Sequence, residues 1–118
     1  MMQPSVRASL NERGGMAIAM QIIEEPGSGL RQRLLHAMRH GELRTFKAEK
    51  RGKKVVHLNA SYHGWITWED SHGVITCEIK SPQKPGEEWK LLSSFLGRLA
   101  DKYADQVHSI HIQFPDHD

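Results

Sequence analysis

Three groups of residues in this 118-residue chain have types and spacings that bear on chemistry. Glu78-Ile79-Lys80 sets a carboxylate and an amine two positions apart, so on a strand both project from one face. A carboxylate so placed can hold Mg²⁺ while the amine stabilises charge on an attacked phosphate. His36 and His40 are four apart, which on a helix turns both rings the same way. A metal site needs a third and usually a fourth ligand, and no His-Glu-x-x-His pattern surrounds this pair. They are expected to be exposed histidines, and no metal or other cofactor is implied. Cys77 is the single cysteine. It has no partner for an internal disulfide and is expected to behave as a small buried apolar residue.

Beside the Glu-Lys pair, the His pair and the lone cysteine stands a block of charge. The chain has 16 Lys/Arg against 14 Asp/Glu, a formal net charge of +2. Residues 31–54 hold Arg31, Arg33, Arg39, Arg44, Lys47, Lys50, Arg51, Lys53 and Lys54 against Glu42 and Glu49, and both flanking regions are net acidic. A basic fifth of the chain is therefore joined to an acidic half. If these cations converge in space they form an anion-binding surface, with nucleic acid as the leading ligand class. Eight histidines make the surface charge responsive to pH between about 5 and 8.

Hydrophobic residues at 38% and charged residues at 25% are ordinary for a globular domain. They exclude disordered, collagen-like and disulfide-stapled chains. No apolar run approaches the roughly 20 residues a spanning helix needs. Met16–Ile23 is a short apolar stretch, and Glu24-Glu25-Pro26 follows at once, which does not suit a secretory signal. The expectation is one cytoplasmic domain over residues 16–115, with a flexible leader at 1–15, a tail at 116–118 and no membrane partner.

The elements that position these groups follow from periodicity. Met16, Ile18, Met20 and Ile22 alternate as a strand, which Pro26-Gly27-Ser28-Gly29 ends. Ser28 is a plausible N-cap for a helix over Leu30–His40 with the apolar stripe Leu30, Leu34, Leu35 and Met38. Backbone N–H groups at Gly27-Ser28-Gly29 could hold an anion there. Four strands come next. For Leu43–Lys50 and Lys53–Ala60 a two-residue loop would set Phe46 opposite His57, and a bulged three-residue turn would set Phe46 opposite Leu58 and Ala48 opposite Val56; pairing apolar with apolar favours the second. Trp65–Glu69 and Val74–Lys80 are expected to pair Ile66 with Cys77 and Trp68 with Ile75, leaving Trp65, Thr67, Thr76 and Glu78 on the other face. Trp89, Leu92, Leu96, Leu99 and Tyr103, widened by Leu91 and Phe95, predict an amphipathic helix over Glu87–Ala104. His108, Ile110, Ile112 and Phe114 alternate in a last strand that Pro115 closes. The order strand, helix, four strands, helix, strand predicts an α+β domain, with one mostly antiparallel sheet and its helices on one face.

Around Glu78 and Lys80 the element order resembles the PD-(D/E)xK nuclease superfamily, whose core runs helix, three strands with Glu-x-Lys on the last, helix, strand. The resemblance spans roughly residues 28–114 and implies metal-dependent phosphodiester cleavage by Glu78 and Lys80. The superfamily's metal-binding Asp at the start of the preceding strand has no counterpart, because His63-Gly64 stands there and Asp70 lies at the strand's far end.

No complete catalytic set is present in the sequence. The first expectation is a small non-enzymatic interaction domain that binds itself or another protein, with Trp65, Ile110, Ile112 and Phe114 as interface residues. The second is nucleic-acid binding through the nine cations of 31–54. The third is a degenerate nuclease using Glu78 and Lys80.

Overall fold

The computed structural model describes residues 17–81 and 86–115. The expected leader at 1–15, Met16 and the expected tail at 116–118 lie outside the described residues. The chain runs β1 (Ala17–Glu24), α1 (Leu30–Arg39), β2 (Phe46–Glu49), β3 (Lys54–His57), β4 (Trp65–Ser71), β5 (Val74–Lys80), α2 (Glu87–Lys102) and β6 (Val107–Gln113). The six strands form one antiparallel sheet in the order β2-β3-β4-β5-β1-β6. The architecture is the expected α+β one, in the expected element order. No helix among the described residues is long and apolar enough to cross a membrane.

Strand alternation decides which face is covered. Ile18, Met20 and Ile22 of β1, Ile66 and Trp68 of β4, and Ile75, Cys77 and Ile79 of β5 point to one side and are buried. Leu30, Leu34 and Leu35 of α1 and Leu91, Leu92, Phe95 and Leu99 of α2 join them in a single apolar cluster. Both helices therefore lie on that face. The opposite face carries Gln21, Lys47, Lys54, Trp65, Thr67, Thr76, Glu78 and His111.

Both hairpins pair differently from expectation. The first sets Phe46 opposite His57 and Ala48 opposite Val55, one residue away from the expected register. A one-residue slip reverses the faces of the strand, so Val55 is buried while Leu58 is 54% exposed. His57 takes the apolar role. Its ring meets Phe46 edge-on at 5.1 Å and stacks on Tyr62 at 3.8 Å. The turn is a tight one at Arg51-Gly52, closed by Lys53 N–H donating to Lys50 C=O at 3.2 Å, rather than a bulge. The second hairpin is shifted by two residues. Trp68 faces Cys77, Trp65 faces Lys80 and Thr67 faces Glu78. A shift of two preserves the faces, and the turn falls at His72-Gly73, with φ of 54° and 81°.

The helix ends differ as well. α1 is not capped by Ser28. The Glu24 carboxylate accepts from Leu30 N–H at 2.9 Å and from Ser28 Oγ–H at 2.8 Å. This carboxylate occupies the positive end of α1 and so takes the place of the expected Ser28 cap. In α2 the buried stripe is Glu88, Leu91, Leu92, Phe95 and Leu99. Phe95 fixes that rotation by packing edge-on against Phe46 and Trp68, with ring centroids at 5.4 and 6.0 Å. Trp89 leaves the expected stripe, is 45% exposed, and stacks on Phe114 at 4.4 Å.

Candidate interaction surfaces at the two sheet edges

The sheet ends in β2 on one side and β6 on the other, and the two ends are built from different chemistry. β2 is four residues long and carries Lys47 and Glu49. It joins β3 through Lys50-Arg51-Gly52, where Lys50 and Arg51 adopt φ of 53° and 58°, a left-handed conformation rare for side-chain-bearing residues. The turn is held in place through Gly52. Its carbonyl accepts from Trp68 Nε1–H at 2.6 Å and from Arg31 Nη2 at 3.0 Å. Gly52 itself has φ of 87°, and a Cβ there would come within 3.2 Å of Arg39 Nη2 and 3.3 Å of Leu35 Cδ1. The turn thus rests on the stripe Arg31, Leu35 and Arg39, successive i,i+4 positions of α1.

This contact divides the nine cations. Arg31 is only 13% exposed, lies over the Trp68 ring at 5.3 Å and meets Asp70 at 3.7 Å. It serves the fold by tying α1 to the hairpin. Arg39, Lys50, Arg51 and Lys53 are exposed around the same turn. Lys47 and Lys54 lie on the open sheet face. Arg33 and Arg44 stand apart, donating to Ser28 C=O and Gly41 C=O.

β6 is seven residues long, Val107 to Gln113, and contains no Lys, Arg, Asp or Glu. Its inner edge pairs with β1, and no strand among the described residues pairs with its outer edge. Ile110 and Ile112 lie opposite Ile22 and Met20 and are half-buried against the core. Ser109, His111 and Gln113 occupy the open face. The Trp89–Phe114 stack lies just past the end of the strand. Trp65 does not join this group, since β5 and β1 stand between β4 and β6.

On the open face Glu78 and Lys80 form an ion pair at 3.3 Å. Among the described residues no three His, Cys, Asp or Glu side chains come together as a metal-binding group. His36 and His40 stack at 4.0 Å, and His40 Nδ1 lies 2.9 Å from His36 C=O. Cys77 is buried in the sheet, and burial pushes its thiol up to about 12, with the Arg31 charge pulling the other way. A thiol so protonated is a poor nucleophile.

Two residues that matter here were not singled out by the sequence. Trp89 belongs to a helical stripe by spacing alone, and only the packing of Phe95 turns it outward. Asp70 reads as a turn residue, and only the fold brings it to Arg31. The chain matches no protein-family model, no curated protein and no solved structure.

Proposed function

We propose that this chain is a non-enzymatic interaction domain that self-associates by pairing β6 with β6 of a second copy, antiparallel about a two-fold axis. The single observation that carries this reading is the seven-residue edge without Lys, Arg, Asp or Glu, whose titratable groups are His108, 3.4 Å from Glu25, and His111. Edge strands that stay unpaired are usually short or marked with charge, especially Lys, which describes β2 and not β6. A two-fold through Ile110 sets each Ser109 opposite the partner copy's His111, two small or neutral polar groups on the open face. On the helix side it brings together the two Ile110 side chains. The Trp89–Phe114 stack adds aromatic area beside the strand, and such residues anchor protein interfaces.

Sedimentation velocity across a concentration series tests the reading. The expected result is a reversible dimer. The variant S109K/H111K places lysines directly opposite one another across the two-fold while leaving the core side of β6 untouched. It is expected to sediment as a monomer and to melt at the temperature of the dilute, dissociated wild-type chain. A wild-type chain that remains monomeric at millimolar concentration, or a variant that dimerises as well as wild type, overturns the proposal.

A further inference from the structure

The geometry points to a second, separate site: the open sheet face around Trp65 binds single-stranded nucleic acid, with a base stacked on the Trp65 indole and phosphates held by the lysines that surround it.

The argument begins with the face itself. Both helices cover the other side of the sheet, so Trp65 is left half-buried on a surface free of helices. Lys54 Nζ already sits over its ring at 4.8 Å. Lys80 faces Trp65 directly across β4 and β5. On the other side, the register that pairs Val55 with Ile66 continues to place Val56 beside Trp65, and Val56 pairs with Lys47. One row across the sheet therefore reads Lys47, Val56, Trp65, Lys80, with Lys54 lying diagonally over the ring. An indole with Lys54 over its ring and Lys47 on the same row offers a stacking platform and phosphate partners at once, the combination that unpaired bases require.

The row continues into the basic turn. Lys54 pairs with Thr67, two residues along β4 from Trp65 and so about 7 Å away at a strand's usual rise. Next to it come Lys53, Arg51 and Lys50, all exposed at the Gly52 turn. A strand whose phosphates cross this turn meets Trp65 a short step further on. Carboxylates share this face: Glu49 lies opposite Lys54, Glu69 opposite Thr76, and Glu78 pairs with Lys80 at 3.3 Å. The cations left over for phosphate are those of the turn together with Lys47. The turn cations Lys50, Arg51 and Lys53 make no ion pair among the described residues.

A duplex fits this arrangement less well. Its bases are stacked internally and offer no free face to Trp65, while its phosphates would meet only the turn. The site also owes nothing to β6, so it stands or falls apart from self-association.

The test is fluorescence anisotropy with a labelled oligo(dT) and a duplex of the same length. Expected are binding to oligo(dT) with quenching of tryptophan emission, and a salt dependence of log K near −0.7 for each phosphate neutralised. Trp65→Ala is expected to weaken oligo(dT) binding roughly tenfold or more, with Trp65→Phe in between. K50E/R51E/K53E is expected to flatten the salt dependence. Lys47→Gln, on an exposed side chain, is the second charge variant should the turn variant fail to fold. Three results overturn the inference: no oligo(dT) binding at low salt, preference for the duplex, or equal affinity in wild type and the folded Trp65→Ala protein.

Discussion

The two edges of one sheet show how differently a fold can end. At β2 the last strand is short and charged, and its turn is pinned from beneath by Trp68 and Arg31 at the Gly52 carbonyl. At β6 the last strand is long and without Lys, Arg, Asp or Glu, and its outer edge has no comparable anchor among the described residues. The first edge spends side chains on holding itself in place and projects its charge outward. The second leaves backbone donors and acceptors in position for another strand. Mutations at the two edges should therefore dissociate: those at β2 change stability and leave association alone, and those at β6 do the reverse.

The largest effect on stability is expected at Gly52. Gly52→Ala forces a side chain into a left-handed backbone and against Leu35 and Arg39, and is expected to cost about 1–3 kcal/mol in urea unfolding. The dimer constant measured on the folded protein should not move, and a change in it would break the contrast. Trp68→Phe keeps the aromatic core contact with Phe95 but removes the N–H donor to Gly52 C=O. Leaving that buried group with one donor fewer is expected to cost about 1–2 kcal/mol, again with association unaltered. On the other side, Trp89→Ala removes the stack on Phe114 at an exposed position. It is expected to change stability by less than about 1 kcal/mol while weakening association roughly tenfold.

The smallest effect is a pH dependence. Burial lowers the His57 pKa below its ordinary value of 6.5. The unfolded chain then binds a proton more readily than the native one, so the His57 contribution is fully present above about pH 6.5 and is lost as pH falls through the lowered value. His57→Gln is expected to flatten this part of the stability profile in acid, and an unchanged profile would show that His57 is not the responsible group. The effect belongs to the β2–β3 hairpin and should leave the dimer constant untouched.

Much of this contrast was legible in the sequence, and its limits are physical. Period-two alternation in Ile18-Met20-Ile22, Ile66-Trp68 and Ile75-Cys77-Ile79 assigns the buried face correctly, because a strand must turn alternate side chains the same way. Register is another matter. Matching apolar with apolar favours Phe46 against Leu58, yet His57 with its ring on Phe46 and Tyr62 serves as the aromatic partner and Leu58 goes to solvent. A two-residue shift in the β4–β5 hairpin leaves every face unchanged, so alternation cannot detect it. The turn at His72-Gly73 decides it. The cation block was plain in the sequence, but the capture of Arg31 by Trp68, Gly52 and Asp70 joins residues 21 to 39 positions apart. Alternation put Trp65 on the face away from Ile66 and Trp68, but only the strand order shows that two strands separate it from β6.

Amide hydrogen exchange, read strand by strand at two protein concentrations, tests the self-pairing of β6 most directly. The β6 amides that point away from β1 should become more protected as concentration rises, while β2 amides exchange at the same rate at both. Protection of β6 that does not depend on concentration, or protection that grows at β2 instead, would contradict the assignment of β6 as the associating edge.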